Sequence, residues 1–595
     1  MGSTSIDDSE FDFVIIGGGT AGLALASRLT EDKAVTVVVL EAGEANIGAP
    51  EILVPGQFGG SFMNPKFDWA FTTVKQKFSN DRELVWNRGK GLGGSSALNF
   101  YAWTKPPAED VDAIEKLGNP GWNWAEYIKY SKRSETFHPP TSPSLDAVPQ
   151  EWDASLRGSS GPIQTTIPFH HHTIDDMFLG AMGNLGFERL KDPYGGNITG
   201  TWIANANLDP KDWTRSYATT GYFLPVRDRP NLTVLTEATV ARIVFDDAEG
   251  DAPLTARGVE YMLKDGGKRR VNARKEVILS AGTVKNPQIL ELSGIGRPEV
   301  LSKIGVETKL ELMGVGENVQ EHSFIGMSYE LAGSPPTHDL MRDPEYAAEA
   351  RKLHAQGLGP QGVGITGFSY FPLSSANPQE AVRLIDGVAA SLPQDKVPGL
   401  KEQFELQMAA LRDEKLPDLE LVGFPGLMTA LTAPEPGKTY VTMLSVLNHP
   451  FSRGTIHAKS TDPFDNPEID PHYFENDFDL ENLVQHFKFT RKLAQTEPFK
   501  SGVVVETCPG PGCTSDEAIR DYIKNTHTTT WHTVGSCSML PKEKQGVVDP
   551  ELKVYGTTNL RIVDISIIPL HIAAHTHATA YVIAEKAADI IRGRK

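Results

Sequence analysis

The chain has few cysteines, no long apolar run and a shortage of positive charge, and each scarcity excludes a class of protein. Three cysteines in 595 residues are too few for a disulfide scaffold or for a zinc site of four thiolates. No apolar run approaches the roughly 18 residues that a membrane span needs. With 57 Lys and Arg against 76 Asp and Glu, the net charge is −19, which argues against nucleic acid and anionic membranes as partners.

The first residues also lack a targeting signal. Met-Gly-Ser-Thr-Ser-Ile-Asp-Asp is polar and acidic, with no apolar signal-peptide core, so the sequence as it stands predicts a cytoplasmic protein. Secretion stays open if these residues are foreign to a mature chain, because Asn197 and Asn231 begin glycosylation sequons. In an oxidising compartment Cys508 and Cys513 could pair, although two free thiols are an equal alternative.

The first fifty residues predict a dinucleotide-binding unit. Phe13-Val-Ile-Ile16 is a short apolar run that indicates a buried strand, and Gly17-Gly-Gly-Thr-Ala-Gly22 follows it as a turn. Residues 23–29 have helical spacing, and residues 35–40 form a second apolar run that ends in Glu41. Strand, glycine-rich turn, helix, strand and acid in this order are typical of dinucleotide binding.

Each part of this unit has a physical reason. Gly17 lets the turn close, Gly19 lets the backbone approach a pyrophosphate, and Gly22 lets the helix pack near the strand. The helix N-terminus offers free N–H groups to phosphates. Glu41 is placed to accept hydrogen bonds from a ribose diol, and no Arg stands there to indicate a 2′-phosphate. The motif alone does not separate NAD from FAD.

Five further segments carry a family resemblance. Residues 87–99, Asn-Arg-Gly-Lys-Gly-Leu-Gly-Gly-Ser-Ser-Ala-Leu-Asn, resemble the first signature of the glucose–methanol–choline oxidoreductases, a family of FAD enzymes. Residues 282–296 resemble the second signature, and residues 314–322 resemble the segment after it. Residues 531–539 and 563–575 resemble the C-terminal active-site region. The motifs span the chain in the family's order, so the resemblance extends over nearly its whole length.

Two positions depart from the family pattern. Asn286 stands where Ser or Thr is usual in the second signature, and we interpret it as a tolerated exchange of small polar residues. Some relatives attach FAD covalently through a His just before the position of Asn99. This chain has Leu98 there, which predicts non-covalent FAD.

The resemblance also implies an architecture. The expected fold is α/β (α+β overall), with a Rossmann-like FAD-binding domain and a substrate-binding domain built on an antiparallel sheet with helices. Both domains would be discontinuous. The FAD-binding domain would comprise residues 1–160, 222–322 and 531–595, and the substrate-binding domain residues 161–221 and 323–530.

The chemistry of alcohol oxidation requires proton handling. A hydride leaves the carbon and a proton leaves the oxygen, so a general base and a donor for the developing alkoxide are needed. The resemblance implies His532 as the base and His575 as its partner. His571 and His577 are rivals by proximity, but His575 has the family spacing of six residues after Pro569. A metal site at His571 and His575 is a weak reading, since no Glu follows His571, and we expect no metal.

The resemblance further implies a set of cofactor contacts. Asn99 would lie near the flavin C4a–N5 edge, Val240 near the adenine and Asp564 near the ribityl–pyrophosphate region. The full set is Gly17, Gly19, Thr20, Ala21, Gly22, Glu41, Ala42, Arg88, Gly91, Gly94, Ser95, Asn99, Val240, Asp564, His575 and Thr576. Phe100 and Trp531 are candidate substrate-pocket residues, and their aromatic rings favour a flat or apolar substrate.

These inferences favour one activity and leave others open. The favoured activity is FAD-dependent oxidation of a primary alcohol, of aryl or furan type, to the aldehyde, with hydride transfer to flavin N5 and reoxidation by dioxygen, as in fungal aryl-alcohol oxidases. One alternative is a dehydrogenase that uses a quinone acceptor or acts on a sugar. A non-redox hydroxynitrile lyase and a flavin protein without turnover are the others. The oligomeric state stays open.

Overall fold

The computed structural model describes residues 6–140, 150–168, 172–246, 250, 252–354, 359–362, 364–391, 397–429 and 431–594. Helices and strands alternate and mix along these residues, which confirms the predicted α/β class. The α-helices are Thr20–Leu29, Pro50–Leu53, Ala108–Lys116, Trp124–Ser134, Thr173–Asn184, Gly282–Leu292, Pro298–Lys303, Pro344–His354, Leu373–Ala376, Pro378–Ser391, Leu400–Arg412, Asp477–Ala494, Phe499–Gly502, Asp516–Thr526 and His577–Ile591.

The first sheet contains the predicted dinucleotide unit. In spatial order its strands are Leu232–Leu235, Val37–Leu40, Glu10–Ile16, Lys268–Leu279, Ala256–Leu263 and Ala238–Phe245, and Leu560–Ile562 also pairs with Lys268–Leu279. The strands around Glu10–Ile16 run parallel. Their residues are apolar and buried on both faces, as expected for strands covered by helices on each side.

The register of this sheet brings distant residues to one edge. Ile16 pairs with both Leu40 and Leu279, and Leu279 pairs in turn with Ile562. The residues that follow these strands therefore meet at their carboxyl ends, where doubly wound sheets bind ligands. The glycine-rich turn, Glu41 and the Asp564 turn all leave the sheet at this edge.

The second sheet is antiparallel throughout its described pairings. In spatial order its strands are Val503–Cys508, Ser323–Leu331, Tyr440–Leu447, Leu419–Phe424, Gly367–Phe371 and Gly200–Ile203, and Thr528–Thr529 pairs with Ser323–Leu331. One face packs on the helix Asp477–Ala494 through residues such as Leu421 and Met443. The opposite face, with Val422 and Val446, points to the cavity described below.

Short strands complete the described part of the chain. They are Ala102–Trp103, Asn205–Ala206, Ile163–Thr166 and Glu135–His138 in one sheet, and the pairs Phe71–Thr72 with Val85–Trp86, Leu208–Asp209 with Thr214–Arg215, Ile295–Gly296 with Leu310–Glu311, and Thr455–His457 with Glu468–Asp470. The strands of the first sheet lie at residues 10–40, 232–279 and 560–562, and those of the second between residues 200 and 529. The domain boundaries themselves stay a prediction.

One glycosylation sequon, the two neighbouring cysteines and the helices can each be compared with the sequence analysis. The side-chain amide of Asn231 is buried and donates to the carbonyls of Thr30, Asp32 and Val35 at 2.7–3.2 Å, so a glycan there would disrupt the fold. Cys508 and Cys513 are free thiols. Across the described residues, no helix combines the length and apolar character that crossing a bilayer demands.

Candidate active site

A cavity of about 290 Å³ lies between the carboxyl edge of the first sheet and one face of the second. Nearly every predicted cofactor and substrate residue lines it. Those lining residues are Gly17, Gly19, Thr20, Ala21, Glu41, Ala42, Arg88, Gly94, Ser95, Asn99, Phe100, Val240, Trp531, His532, Asp564, His575 and Thr576. Residues from five separate sequence motifs thus share one space.

Gly22 and Gly91 are the two members of the predicted set that do not line the cavity. A Cβ on Gly22 would lie 2.0 Å from the carbonyl oxygen of Gly17, so Gly22 permits the helix to pack on the turn. The N–H of Gly91 donates to Glu41 Oε1 at 3.0 Å. Both glycines therefore support residues that line the cavity, Gly17 and Glu41, and do not line it themselves.

Glu41 is fixed at the end of its strand by backbone donors. The N–H groups of Gly18, Gly43 and Gly91 donate to its carboxylate at 2.8–3.0 Å. Burial raises the pKa of Glu41, and these three donors oppose the rise. The carboxylate still lines the cavity, and its remaining acceptor positions suit the hydroxyls of a ribose.

The glycine-rich segments fit a pyrophosphate-bearing cofactor. The helix Thr20–Leu29 has Gly19 at its N-cap, so no side chain occupies the N–H groups of its first turn. Gly94 has a φ of 51°, and a Cβ on it would lie 2.9 Å from the Gly19 Cα. This close approach of two backbones next to an uncapped helix N-terminus forms a cradle for phosphate oxygens. The residues present therefore fit FAD.

Asp564 is buried instead of being a surface turn acid. Its Oδ2 accepts from the Gly282 N–H at 2.8 Å and from Asn286 Nδ2 at 2.7 Å, and its Oδ1 accepts from the Ser566 N–H. Burial raises its pKa, against these donors. Asn286 also accepts from the Ala281 N–H at 2.9 Å. The unusual Asn of the second signature thus ties the helix Gly282–Leu292 to the Asp564 turn.

His532 is held through one ring nitrogen. Its Nδ1 lies 2.9 Å from Thr530 Oγ1 and 3.1 Å from His322 Nδ1. Its Nε2 makes no hydrogen bond to a described residue. Burial, with the charges of His575, His571 and Arg88, lowers the pKa of His532 well below its usual 6.5. The ring is therefore neutral at physiological pH, as a general base must be.

His575 lies beside His532, with the ring centroids 4.6 Å apart. Its Nε2 is 2.8 Å from Oε1 of Glu420, on the strand Leu419–Phe424 of the second sheet. Glu420 has no exposed surface and also lines the cavity. Its Oε2 has no hydrogen-bond partner among the described residues. Sequence reasoning did not find Glu420, which completes a buried His–His–Glu cluster.

His571 and His577, the alternatives to His575, make their contacts with other residues. His571 Nε2 donates to the carbonyl oxygen of His532 at 3.0 Å, and its Nδ1 accepts from the Ile572 N–H. Its ring stacks on His322 at 3.6 Å. His577 lines the cavity, but its ring packs against Trp103 and its Nε2 lies 3.3 Å from Tyr581 OH. The family spacing and the geometry agree on His575 as the neighbour of His532.

An aromatic wall closes the cavity near the two histidines. Phe100 and Trp531 stack with centroids 5.7 Å apart and an interplanar angle of 14°. Phe62 contacts both rings edge-on, at 5.7 and 5.0 Å, and Phe324 meets Trp531 at 6.5 Å. Trp531 has a φ of 63°, a left-handed conformation that is rare for a bulky residue and is found at functional sites.

Arg215 and Arg88 hold predicted site residues in place. Sequence reasoning did not find Arg215, and it gave Arg88 only as a cofactor contact. Arg215 donates to the side chain and carbonyl of Asn99, which fixes that residue against the cavity. Arg88 bonds to Thr533 and lies 3.4 Å from Glu321 Oε2. Glu321 in turn accepts from the His532 N–H at 2.8 Å. No local sequence pattern marks Arg215, and Glu321 lies in the segment 314–322, which carried the family resemblance but no assigned role.

The described residues offer no metal site. Among them, no three or more His, Cys, Asp or Glu side chains are grouped to hold a metal ion. His571 and His575, four positions apart, bind different partners, the His532 carbonyl and Glu420.

Known proteins match the sequence of this chain over most of its length. Residues 11–324 and 450–584 match the N-terminal and C-terminal sequence models described as GMC oxidoreductase. The dehydrogenase mpl7 of Monascus purpureus is 36% identical over 609 residues, which cover 98% of this chain and 96% of that protein.

Solved structures of other proteins superimpose on nearly the whole chain. An FAD-dependent oxidoreductase from Chaetomium thermophilum superimposes with a TM-score of 0.90 and 30% identity, over 98% of this chain and 99% of that one. A fungal aryl-alcohol oxidase superimposes with a TM-score of 0.86 and 29% identity, over 98% of this chain and 99% of that one.

Proposed function

Because the chain belongs to the GMC oxidoreductase family, we propose that it oxidises primary alcohols of aryl or furan type to aldehydes, with dioxygen as the electron acceptor. The protein is an FAD-dependent oxidoreductase. The observation that carries the finer proposal is the aromatic wall of Phe62, Phe100, Phe324 and Trp531 next to the His532–His575 pair.

The polarity of the cavity supports a neutral, flat substrate. Ile365, Val422, Leu444 and Val446 extend the apolar lining on the side of the second sheet, and such walls bind an aromatic ring by stacking and burial. A sugar would leave most of its hydroxyls unpaired against these residues. The carboxylate of Glu420 also disfavours an anionic substrate.

FAD held along the cradle described above would supply the acceptor for the hydride of the alcohol carbon. The other steps belong to the chain. His532 takes the hydroxyl proton on Nε2, and its Nδ1–H stays bonded to Thr530 Oγ1 or His322 Nδ1. His575, held by Glu420, places its ring beside the developing alkoxide and favours negative charge there. The alcohol thus loses one hydride and one proton, which balances its conversion to the aldehyde.

We expect the FAD to be bound without a covalent link. Leu98, where some relatives have a linking His, is 5% exposed and packs with Ile52, Phe67 and Tyr217, and it offers no nucleophile. Acid precipitation of the purified protein should release all the yellow flavin into the supernatant. Flavin that stays with the precipitate would contradict the proposal, and a family member with covalent flavin serves as the positive control.

The test of the function is anaerobic reduction of the bound flavin. The purified holoprotein is mixed with a panel of a benzylic alcohol, a furfuryl alcohol, a short aliphatic alcohol and glucose, and the visible flavin absorbance is followed. We expect fast bleaching with the first two alcohols. Readmitted air should restore the absorbance with formation of hydrogen peroxide.

The other outcomes separate the alternatives. Slow recovery in air with fast recovery on a quinone would indicate a dehydrogenase, in line with the name of the Monascus relative. Fast bleaching by glucose alone would contradict the aryl preference. An unchanged flavin with all four alcohols, together with aldehyde release from a cyanohydrin, would indicate a lyase.

A further inference from the structure

A buried imidazole links two parts of the chain that are far apart in sequence. His449 Nε2 lies 3.1 Å from Asp110 Oδ2, on the helix Ala108–Lys116, and His449 Nδ1 lies 3.4 Å from Asp418 Oδ1, just before the strand Leu419–Phe424. All three side chains are at least nine-tenths buried. The contact with Asp110 is a hydrogen bond and the contact with Asp418 is an ion pair, and an imidazole serves both carboxylates only when both its nitrogens are protonated.

Each carboxylate is also attached to one half of the His575–Glu420 pair. Asp110 Oδ2 accepts from the Ala573 N–H at 2.7 Å, and Ala573 is two residues before His575. Asp418 is two residues before Glu420 on the same extended segment, and Asn482 donates to its other oxygen. The loop of His575 and the strand of Glu420 are thus connected twice. One connection is the His575–Glu420 hydrogen bond, and the other passes through Asp110, His449 and Asp418.

We propose that Asp110, His449 and Asp418 form a charged bridge that positions the His575–Glu420 pair for catalysis. The proposal rests on the proposed function, and the three bridge residues are positioning residues that touch neither substrate nor flavin. They set the separation between the loop that carries His575 and the strand that carries Glu420. A 1 Å displacement between two such groups can cost about 10²-fold in rate.

The electrostatics support a bridge that stays charged over the physiological range. Burial disfavours the imidazolium, but Asp110 and Asp418 outweigh it and raise the pKa of His449 to about 10. The other titratable groups that face it, His322 and His571, are neutral, and the His449 charge contributes to their lowered pKa. Because the folded pKa exceeds the unfolded 6.5, the stabilisation is complete below pH 6.5 and is lost as the pH rises through about 10.

The chain contains a matched control for the bridge. His457 lies between Glu291 Oε1, at 2.7 Å, and Glu317 Oε1, at 3.3 Å, and its pKa is raised to about 9 despite burial. It therefore has the same chemistry, one imidazole between two carboxylates. It contacts neither the His575 loop nor the strand of Glu420, so H457Q reports the general cost of losing such a bridge.

The experiment compares the rate of flavin reduction by a benzylic alcohol in wild type, H449Q and H457Q. We expect H449Q to lower the limiting rate by about 10- to 100-fold with little change in the alcohol concentration at half-saturation, and H457Q to leave both near wild type. The wild-type rate should fall as the pH rises through about 10, and H449Q should lack this limb. In the E420A background, which lacks the acceptor for His575 Nε2, H449Q should lose most of its effect, because the two residues act through one hydrogen bond.

A second measurement needs no substrate. Hydrogen–deuterium exchange of the peptide covering residues 570–576 should be faster in H449Q than in H457Q, since the Ala573 N–H loses a fixed acceptor. D418N, which keeps the shape and removes one charge, replaces H449Q if that variant does not fold. Equal reduction rates and equal exchange in the two histidine variants would overturn the proposal. If no alcohol reduces the wild type, the proposed function fails, and the exchange comparison still decides the positioning claim.

Discussion

H532A should slow reduction of the bound flavin by the alcohol by at least about 10²-fold, the lower end of what a positioned base supplies. His532 is the imidazole whose Nε2 has no described hydrogen-bond partner while Nδ1 is held by Thr530 and His322. Removing it leaves the hydroxyl proton without an acceptor, but it leaves the phosphate cradle and Glu41 untouched. Stopped-flow absorbance under anaerobic conditions measures the rate, and the flavin-to-protein ratio should equal that of wild type.

H577Q is the control for this variant. His577 is partly buried and lines the same cavity, but its ring contacts Trp103 and Tyr581 instead of His532. We expect the reduction rate of H577Q to stay within about tenfold of wild type, below the effect of losing a general base. If H532A were reduced at the wild-type rate, His532 would not be the base.

The pH dependence follows from the lowered pKa of His532. Because burial holds this pKa well below 6.5, the base stays neutral and the reduction rate should not fall as the pH drops through 6.5. The lowered pKa of His532 also makes the stability of the folded protein depend on pH. The unfolded histidine takes up a proton near pH 6.5, so the contribution of His532 to stability is complete above that pH and declines as the pH falls further.

E420Q should lower the rate of flavin reduction by about 10- to 100-fold, the scale expected when proton handling is impaired. The amide keeps an oxygen that accepts from His575 Nε2, so the geometry of the 2.8 Å contact is preserved. What is lost is the negative charge that the carboxylate places beside the His575 ring, at a buried position where charges interact strongly. Single-turnover rates of flavin reduction by a benzylic alcohol measure the loss.

E330Q provides the matched control. Glu330 lies on the strand Ser323–Leu331 of the same sheet and pairs with Lys438 at 2.9 Å, outside the cavity. Its exchange for Gln removes one carboxylate with a cationic partner and should leave the reduction rate near that of wild type. Equal rates in E420Q and wild type would remove Glu420 from proton handling.

Much of the cofactor half of the site is readable in the sequence because its residues lie at chain-local turns. Gly17, Glu41 and Asp564 each follow an apolar strand directly, and parallel pairing brings such positions to one edge. Asn286 shows the limit of this reading. It was interpreted as a tolerated exchange, yet its amide joins Asp564, Ser566 and the Ala281 N–H.

The substrate half was less accessible to sequence reasoning, and Glu420 shows why. Leu419 and Leu421 flank it, and apolar–polar alternation of this kind is typical of a strand with one face in water. Here both faces are buried, one against the helix Asp477–Ala494 and the other against the cavity. A pattern along one strand does not reveal what a second sheet or a cofactor covers, so the polar residue on the covered face looked like a surface residue.

The late position of the strand Leu560–Ile562 has a consequence for biosynthesis. It pairs with Lys268–Leu279 in the interior of the first sheet, and the helix His577–Ile591 behind it pairs Glu585 with Arg28 of the first helix at 2.8 Å. A growing chain therefore holds Val277, Ile278 and Leu279 at an unpaired, apolar edge until the strand Leu560–Ile562 has been made. Asp564 and His575 follow this strand and line the cavity, so the walls of the cavity are complete only once the strand has paired.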